Sequence, residues 1–350
     1  MIRRPPRSTL SSSSAASDVY KRQPQDDYYC SALLDRWVTD WKMDKVYTVC
    51  PEHWETLYPG FLKSGGNLAL GYTGYITSEL IQRSMHPKRH HYRPVEVCYR
   101  ASGKPFLMNR LGLLKSELGY KFLEAFSEEN LITDISTNRK DIIPGEKWLD
   151  FIENARFTLG SQSGCSLLDP VGDIRTCVNN YILKNPNATF EEVEANCFPG
   201  KDGKMIFTAI SPRVFEAGLL KTGQILTPGP YSGIIHPWEH YIPLLEDFSN
   251  KQEVLKAIRD LKFLEQITSS CKEALLSSSE LRMETHISNL LSDIGNGTQR
   301  RNIPSDEEAF KRALKKYTVQ INITSGFVWL LQDTVFFLNK HFPSINRIYN

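Results

Sequence analysis

From residue 94 onward the chain alternates short apolar runs with stretches whose apolar residues recur every three or four positions. Pro94-Val-Glu-Val-Cys-Tyr99 predicts a strand, ended by the polar turn Arg100-Ala-Ser-Gly-Lys-Pro105. Leu111, Leu114, Leu118, Phe122 and Phe126 then mark one face of a helix. Trp148, Phe151 and Ile152 predict a second helix, and Phe157-Thr-Leu159 a strand that runs into the small-residue turn Gly160–Ser166. Gln224-Ile-Leu226 and Tyr241-Ile-Pro-Leu244 predict two further strands. Asn250, with Glu253 three residues on, reads as the capping box of a helix carrying Val254, Ile258 and Leu261. Strands alternating with helices predict a parallel, doubly wound α/β sheet.

Upstream, Gln25–Tyr29, Val46–Val49 and Leu70–Ile76 predict strands, and Ser78–Arg93 reads as a linker. Its cluster His86-Pro-Lys-Arg-His-His91 invites a metal or phosphate reading, but adjacent histidines on a linker are expected to be solvated. Downstream, Tyr317–Gln332 is the most apolar segment, yet Gln320, Asn322, Thr324 and Ser325 make it too polar and too short to span a bilayer. Val328, Leu331, Val335, Leu338 and Phe342 fit an amphipathic helix instead. No spanning segment is therefore predicted, and peripheral membrane contact stays open.

Charge changes the picture at one place. Residues 1–23 hold five Lys/Arg, one acid and six serines, with no apolar face or h-region that would make a transit or signal peptide. They resemble the conceptual translation of a sequencing adapter, so the segment is expected to be an artefactual, disordered leader. Without it, the 42 Lys+Arg against 40 Asp+Glu of the chain become 37 against 39. That near-neutral remainder offers no field to recruit nucleic acid. The seven cysteines contain no CxxC pair, which predicts reduced thiols in a cytoplasmic protein and no metal centre. The Asn-x-Thr triplets at Asn187, Asn296 and Asn322 then read as chance.

Ser211-Pro-Arg-Val-Phe-Glu-Ala217, taken with Val97-Cys-Tyr-Arg100, Leu159-Gly-Ser-Gln-Ser-Gly164, Gln224-Ile-Leu226 and His240–Asn250, resembles bacterial glycosyltransferases of the two-Rossmann-domain GT-B type. The group includes the spore-maturation-type and family-1 enzymes. The resemblance covers roughly residues 25–293 and is strongest between Tyr99 and Ile258. It implies a complete doubly wound, Rossmann-like donor domain at 94–293. A remnant of an N-terminal acceptor domain with its linker precedes it at 24–93, and a loop with amphipathic helices follows at 294–350. The short N-terminal part is expected to reflect truncation. The activity implied is transfer of a sugar from a nucleotide-diphosphate donor to a cell-surface glycan, lipid-linked or protein acceptor, with no cofactor beyond the nucleotide sugar. A nucleotide-sugar epimerase and a non-catalytic nucleotide-sugar-binding protein remain as alternatives.

A departing diphosphate gathers charge in the transition state, and cations with backbone N–H groups aimed at it lower the barrier. Arg100, just past a strand, is placed where ligands bind an open α/β sheet, and Lys115 on the following helix is a second candidate. Arg100 is equally readable as a solvated surface cation, and Lys115 reads first as one. Ser163 and Gly164 lie in what reads as a strand-to-helix turn able to admit a phosphate, or simply as a tight turn. The resemblance implies that Glu216 accepts hydrogen bonds from the ribose hydroxyls, with Ser211 and Arg213 beside it; Arg213 faces the phosphates or clamps Glu216. Tyr231 joins the donor-binding set, while His236, His240 and Tyr241 are readable as donor contacts or as core. Several retaining relatives carry a second glutamate eight positions before Glu216, where this chain has Thr208. No catalytic residue is assigned.

Overall fold

The computed structural model describes residues 27–101, 109–145 and 147–299, and side chains as far as residue 293. The described elements up to Asp293 belong to one compact unit. The predicted leader and the segment Tyr317–Gln332 lie outside the described residues.

The first part runs α1 (Ser31–Asp40), β1 (Lys45–Thr48), α2 (Trp54–Leu57), α3 (Pro59–Lys63), β2 (Asn67–Leu70) and α4 (Ser78–Ser84). β1 and β2 pair in parallel, and Val38, Val46, Leu57, Tyr58 and Phe61 close a core over them. The buried Asp35 carboxylate accepts the N–H groups of Gly60 and Phe61 at 2.9 and 2.8 Å, capping the short α3. The predicted strand at 70–76 is displaced: β2 ends at Leu70, and Tyr72, Tyr75 and Ile76 turn away to pack against Ile210, Val214 and Phe215. Tyr29, likewise, makes only an isolated bridge, to Asp169.

The predicted linker is also built into the fold. His90 is 8% exposed, and its Nε2 lies 2.7 Å from the Lys221 carbonyl, while His86 and His91 are exposed. The solvated reading of the histidine cluster is therefore corrected for His90, whose partner is remote in sequence. Arg93 closes the segment and is buried to 1% exposure.

The main sheet contains β3 (Val95–Arg100), β4 (Thr133–Ser136), β5 (Ala155–Gly160), β8 (Gly223–Leu226) and β9 (Ile242–Pro243), all parallel in the spatial order β4-β3-β5-β8-β9. Val97, Phe157 and Ile225 lie in its buried centre, as expected of parallel strands covered on both faces. α5 (Arg110–Ala125) follows β3, starting at Asn109, whose Oδ1 accepts the Gly112 N–H at 2.7 Å. It buries Leu118 and Phe122 against the sheet, and Leu113 against a second cluster. α6 (Lys147–Glu153) leads into β5, confirming the helix read from Trp148, Phe151 and Ile152.

The turn after β5 departs from expectation. Gly160–Ser166 does not open a helix: β6 (Ser163–Cys165) pairs antiparallel with β7 (Phe207–Ala209). Ladder bonds thus take backbone groups that a helix N-terminus would have left open. Gly164, at φ +128°, lets the Phe207 carbonyl approach to where a Cβ would stand, 1.8 Å away. Between the two arms lie α7 (Asp173–Lys184) and α8 (Phe190–Cys197), packed through Ile174, Val178, Phe190 and Val193. Cys177 and Cys197 join these helices as a disulfide, so the expectation of uniformly reduced thiols is corrected for this pair. Sequence spacing hid it because the two helices meet only after the chain turns back.

α9 (Pro212–Leu219) precedes β8; α10 (Lys251–Arg259), α11 (Leu261–Ser277) and α12 (Met283–Gln299) follow β9. Asn250 starts α10 without a side-chain cap, because Oδ1 accepts the Leu245 N–H at 3.1 Å and Nδ2 donates to the Pro243 carbonyl at 2.8 Å. Leu261 belongs to the next helix, which Asp260 caps through the N–H groups of Lys262 and Phe263. Among the described residues no helix is long and apolar enough to cross a membrane.

Candidate functional site

Strand order decides where a ligand fits. Taking the five parallel strands in chain order, the sheet reads second-first-third-fourth-fifth, and the direction of winding reverses between β3 and β5. At such a switch point the loops leaving the two strands go to opposite faces and leave a crevice at the carboxyl edge. The structure has a crevice of about 450 Å³ there, with Tyr99 and Ala101 from the β3 side and Thr158 to Ser161 from the β5 side. Tyr28 and Thr73 reach it from the first part of the chain.

Of the residues read from the sequence, Lys115, Ser163, Gly164, Ser211 and Arg213 line this crevice together. Lys115, on the second turn of α5, donates through Nζ to Ser163 Oγ at 3.5 Å. Ser211 is the N-cap of α9, with Pro212 in the first helical position where its missing N–H costs nothing. Arg213 is exposed; its Nη1 donates to the Arg100 carbonyl at 2.6 Å and its guanidinium lies 4.8 Å from the centre of the Trp148 ring. No carboxylate is among the described residues that line the crevice. Two cations without an acid between them suit an anion.

Three candidates are not brought there. Arg100 turns back onto β4: it pairs with Asp134 Oδ1 at 2.7 Å, donates to the carbonyls of Tyr99, Asp134 and Asp141, and lies 4.4 Å over the Phe151 ring. Tyr231 is 1% exposed, donates to the Thr227 carbonyl at 2.7 Å and packs edge-on against Tyr241. Glu216 lines a neighbouring cavity of about 390 Å³ with Gly74, Thr77, Arg83 and Leu149, and the two cavities share Pro212. Its Oε2 accepts the Trp148 Nε1–H at 2.7 Å. Burial pushes the Glu216 carboxyl above the usual carboxylate range, while the indole hydrogen bond and the charge of Arg213 act the other way. His236 is exposed, and its N–H donates to His240 Nδ1 at 2.9 Å, so this pair closes a loop. Thr208 pairs with Gly164 across the β6–β7 ribbon.

Sequence reading missed Trp148, Thr158 and Gln224 as parts of the site. Gln224 is 3% exposed on the crevice floor, its Nε2 donating to the Val214 carbonyl at 3.3 Å. The available signal was a polar residue inside an apolar central strand, at Thr158 and again at Gln224, where a buried polar group needs a partner. The chain matches no protein-family model, no curated protein and no solved structure.

Proposed function

We propose that the crevice binds a nucleotide-diphosphate sugar through its diphosphate, and that the chain is the donor-binding part of a GT-B-type glycosyltransferase. The observation that carries this reading is the convergence of Arg213 and Lys115, with the small residues Ser163 and Gly164, at the switch point of the parallel sheet. Arg213 and Lys115 take the phosphate oxygens, and Arg213 stabilises the charge that grows as the sugar leaves. The nucleoside lies on the side of Pro212 where Glu216 stands, with that carboxylate accepting the ribose hydroxyls. The acceptor is a glycan, lipid-linked or protein hydroxyl.

A second reading, a binding protein without transfer activity, is favoured by one feature: no carboxylate among the described residues faces the crevice to act as base. Calorimetric titration with a panel of nucleoside diphosphates tests the shared premise, and radiolabelled sugar transfer separates the two readings. Micromolar to millimolar binding is expected for at least one diphosphate; no heat with any member, at protein concentrations sufficient for millimolar affinity, overturns both.

A further inference from the structure

We propose that Trp148 is a positioning residue for this site, keeping Arg213 available to phosphate by holding it apart from Glu216; the inference rests on the proposed diphosphate reading. Arg213 and Glu216 stand three residues apart on α9, the spacing at which an arginine and a glutamate on one helix reach each other. A direct ion pair would give the buried carboxylate its partner and withdraw the guanidinium from the crevice. The structure shows another arrangement. The indole N–H satisfies Glu216 Oε2 at 2.7 Å, and the face of the same ring carries the guanidinium at 4.8 Å. One aromatic side chain thus takes up both charges separately: the N–H as a charge-assisted donor, the π face as a cation platform.

The consequence is visible in how the donors of Arg213 are used. Among the described residues, Nη1 donates to the Arg100 carbonyl, and that bond points the group toward the end of β3. Arg213 lines the crevice together with Lys115, Ser163 and Gly164. Trp148 itself is held by packing, with Leu149 and Phe151, against the buried cluster of Ile152, Ala217 and Leu220. The ring therefore has a firm base and spends its two recognition surfaces on two residues of a neighbouring helix.

The test uses inorganic pyrophosphate, which has no ribose for Glu216 to hold, titrated calorimetrically into the full chain and its variants at neutral pH. Trp148→Leu keeps apolar bulk but removes both the N–H and the ring face, and is expected to weaken pyrophosphate binding about tenfold or more as Arg213 closes onto Glu216. Adding Glu216→Gln to that variant removes the competing charge and should restore affinity to within about threefold of wild type. Trp148→Phe keeps a smaller aromatic face and loses the N–H; a loss of about threefold, again recovered by Glu216→Gln, is expected, and this pair carries the test if the leucine variant does not fold. Wild-type affinity in the Trp148 variants, or no recovery on adding Glu216→Gln, overturns the inference while leaving the crevice reading intact. Absence of binding by wild type to pyrophosphate and to every nucleoside diphosphate overturns the crevice reading itself.

Discussion

Arg93, just before β3, and Arg213, which reaches from α9 to the carbonyl of the last β3 residue, are used in opposite ways. At the amino end, Arg93 is buried and donates to the carbonyls of Lys88, Ala155 and Leu220 and to Thr222 Oγ1, clasping the linker, β5 and the approach to β8 together. Burial pulls its guanidinium down to about 10, still charged at neutral pH. At the carboxyl end, Arg213 is exposed, its guanidinium makes one hydrogen bond among the described residues, and it lies beside a crevice. The difference follows from parallel topology. Loops leaving the carboxyl ends diverge at the switch point and open space, and the start of α9 brings Ser211 and Arg213 to that edge. At the amino end nothing diverges, and a charge can stay only if its donors are consumed internally. The same side-chain type is thus a structural clasp at one edge and a ligand candidate at the other.

The largest effect is expected at the clasp. Arg93→Met should take the guanidinium donors from the buried carbonyls of Ala155 and Leu220, while Thr222 Oγ1 keeps its bond to the Ile152 carbonyl, lowering stability by about 2 kcal/mol or more, since each orphaned buried group costs roughly 1–3 kcal/mol. Denaturant unfolding measures it; a loss below about 0.5 kcal/mol, the size expected of an ordinary surface site, would erase the distinction between the two edges. Next, Arg213→Gln should do the reverse: stability within about 0.5 kcal/mol of wild type, but nucleoside-diphosphate affinity reduced about tenfold or more. An Arg213 variant that melts early and binds normally would make this residue a second clasp.

The smallest effect concerns Glu216 and pH. Its carboxyl is raised in the folded state, so the native protein binds the proton more tightly than the unfolded chain. The stability this confers is present below the ordinary carboxylate value and is lost as pH rises through the raised one. Wild type should therefore lose stability relative to Glu216→Gln as pH rises from the ordinary carboxylate range toward neutrality. Melting curves of both proteins across that range check it, and parallel pH profiles would show that burial does not govern this carboxyl.

Much of the fold was legible along the chain. The apolar run Val97–Tyr99 and the spacing of Leu118, Phe122 and Phe126 record burial on one strand and one helix face, and each element formed within a residue or two of its expected place. Part of the site was legible too: Ser211, Arg213, Lys115, Ser163 and Gly164 do share one crevice. Two of the failures share a long-range cause. Gly160–Ser166 looks locally like a helix entry, but pairs with Phe207–Ala209 across an inserted helical pair; His90 looks solvated, but meets a carbonyl more than a hundred residues away.

Periodicity reports how an element meets the core, because 3.6- and 2-residue repeats are properties of the element alone. It therefore determined the α/β alternation and the buried faces by itself. Which polar residues converge depends on strand order and on the direction each loop leaves the sheet, neither of which is written into any local window. Only the tertiary structure decided that Arg100 turns onto Asp134 while Arg213 stays at the crevice, and that Trp148 stands between Arg213 and Glu216. These are long-range contacts, set by how the sheet is wound and by what the buried groups must satisfy.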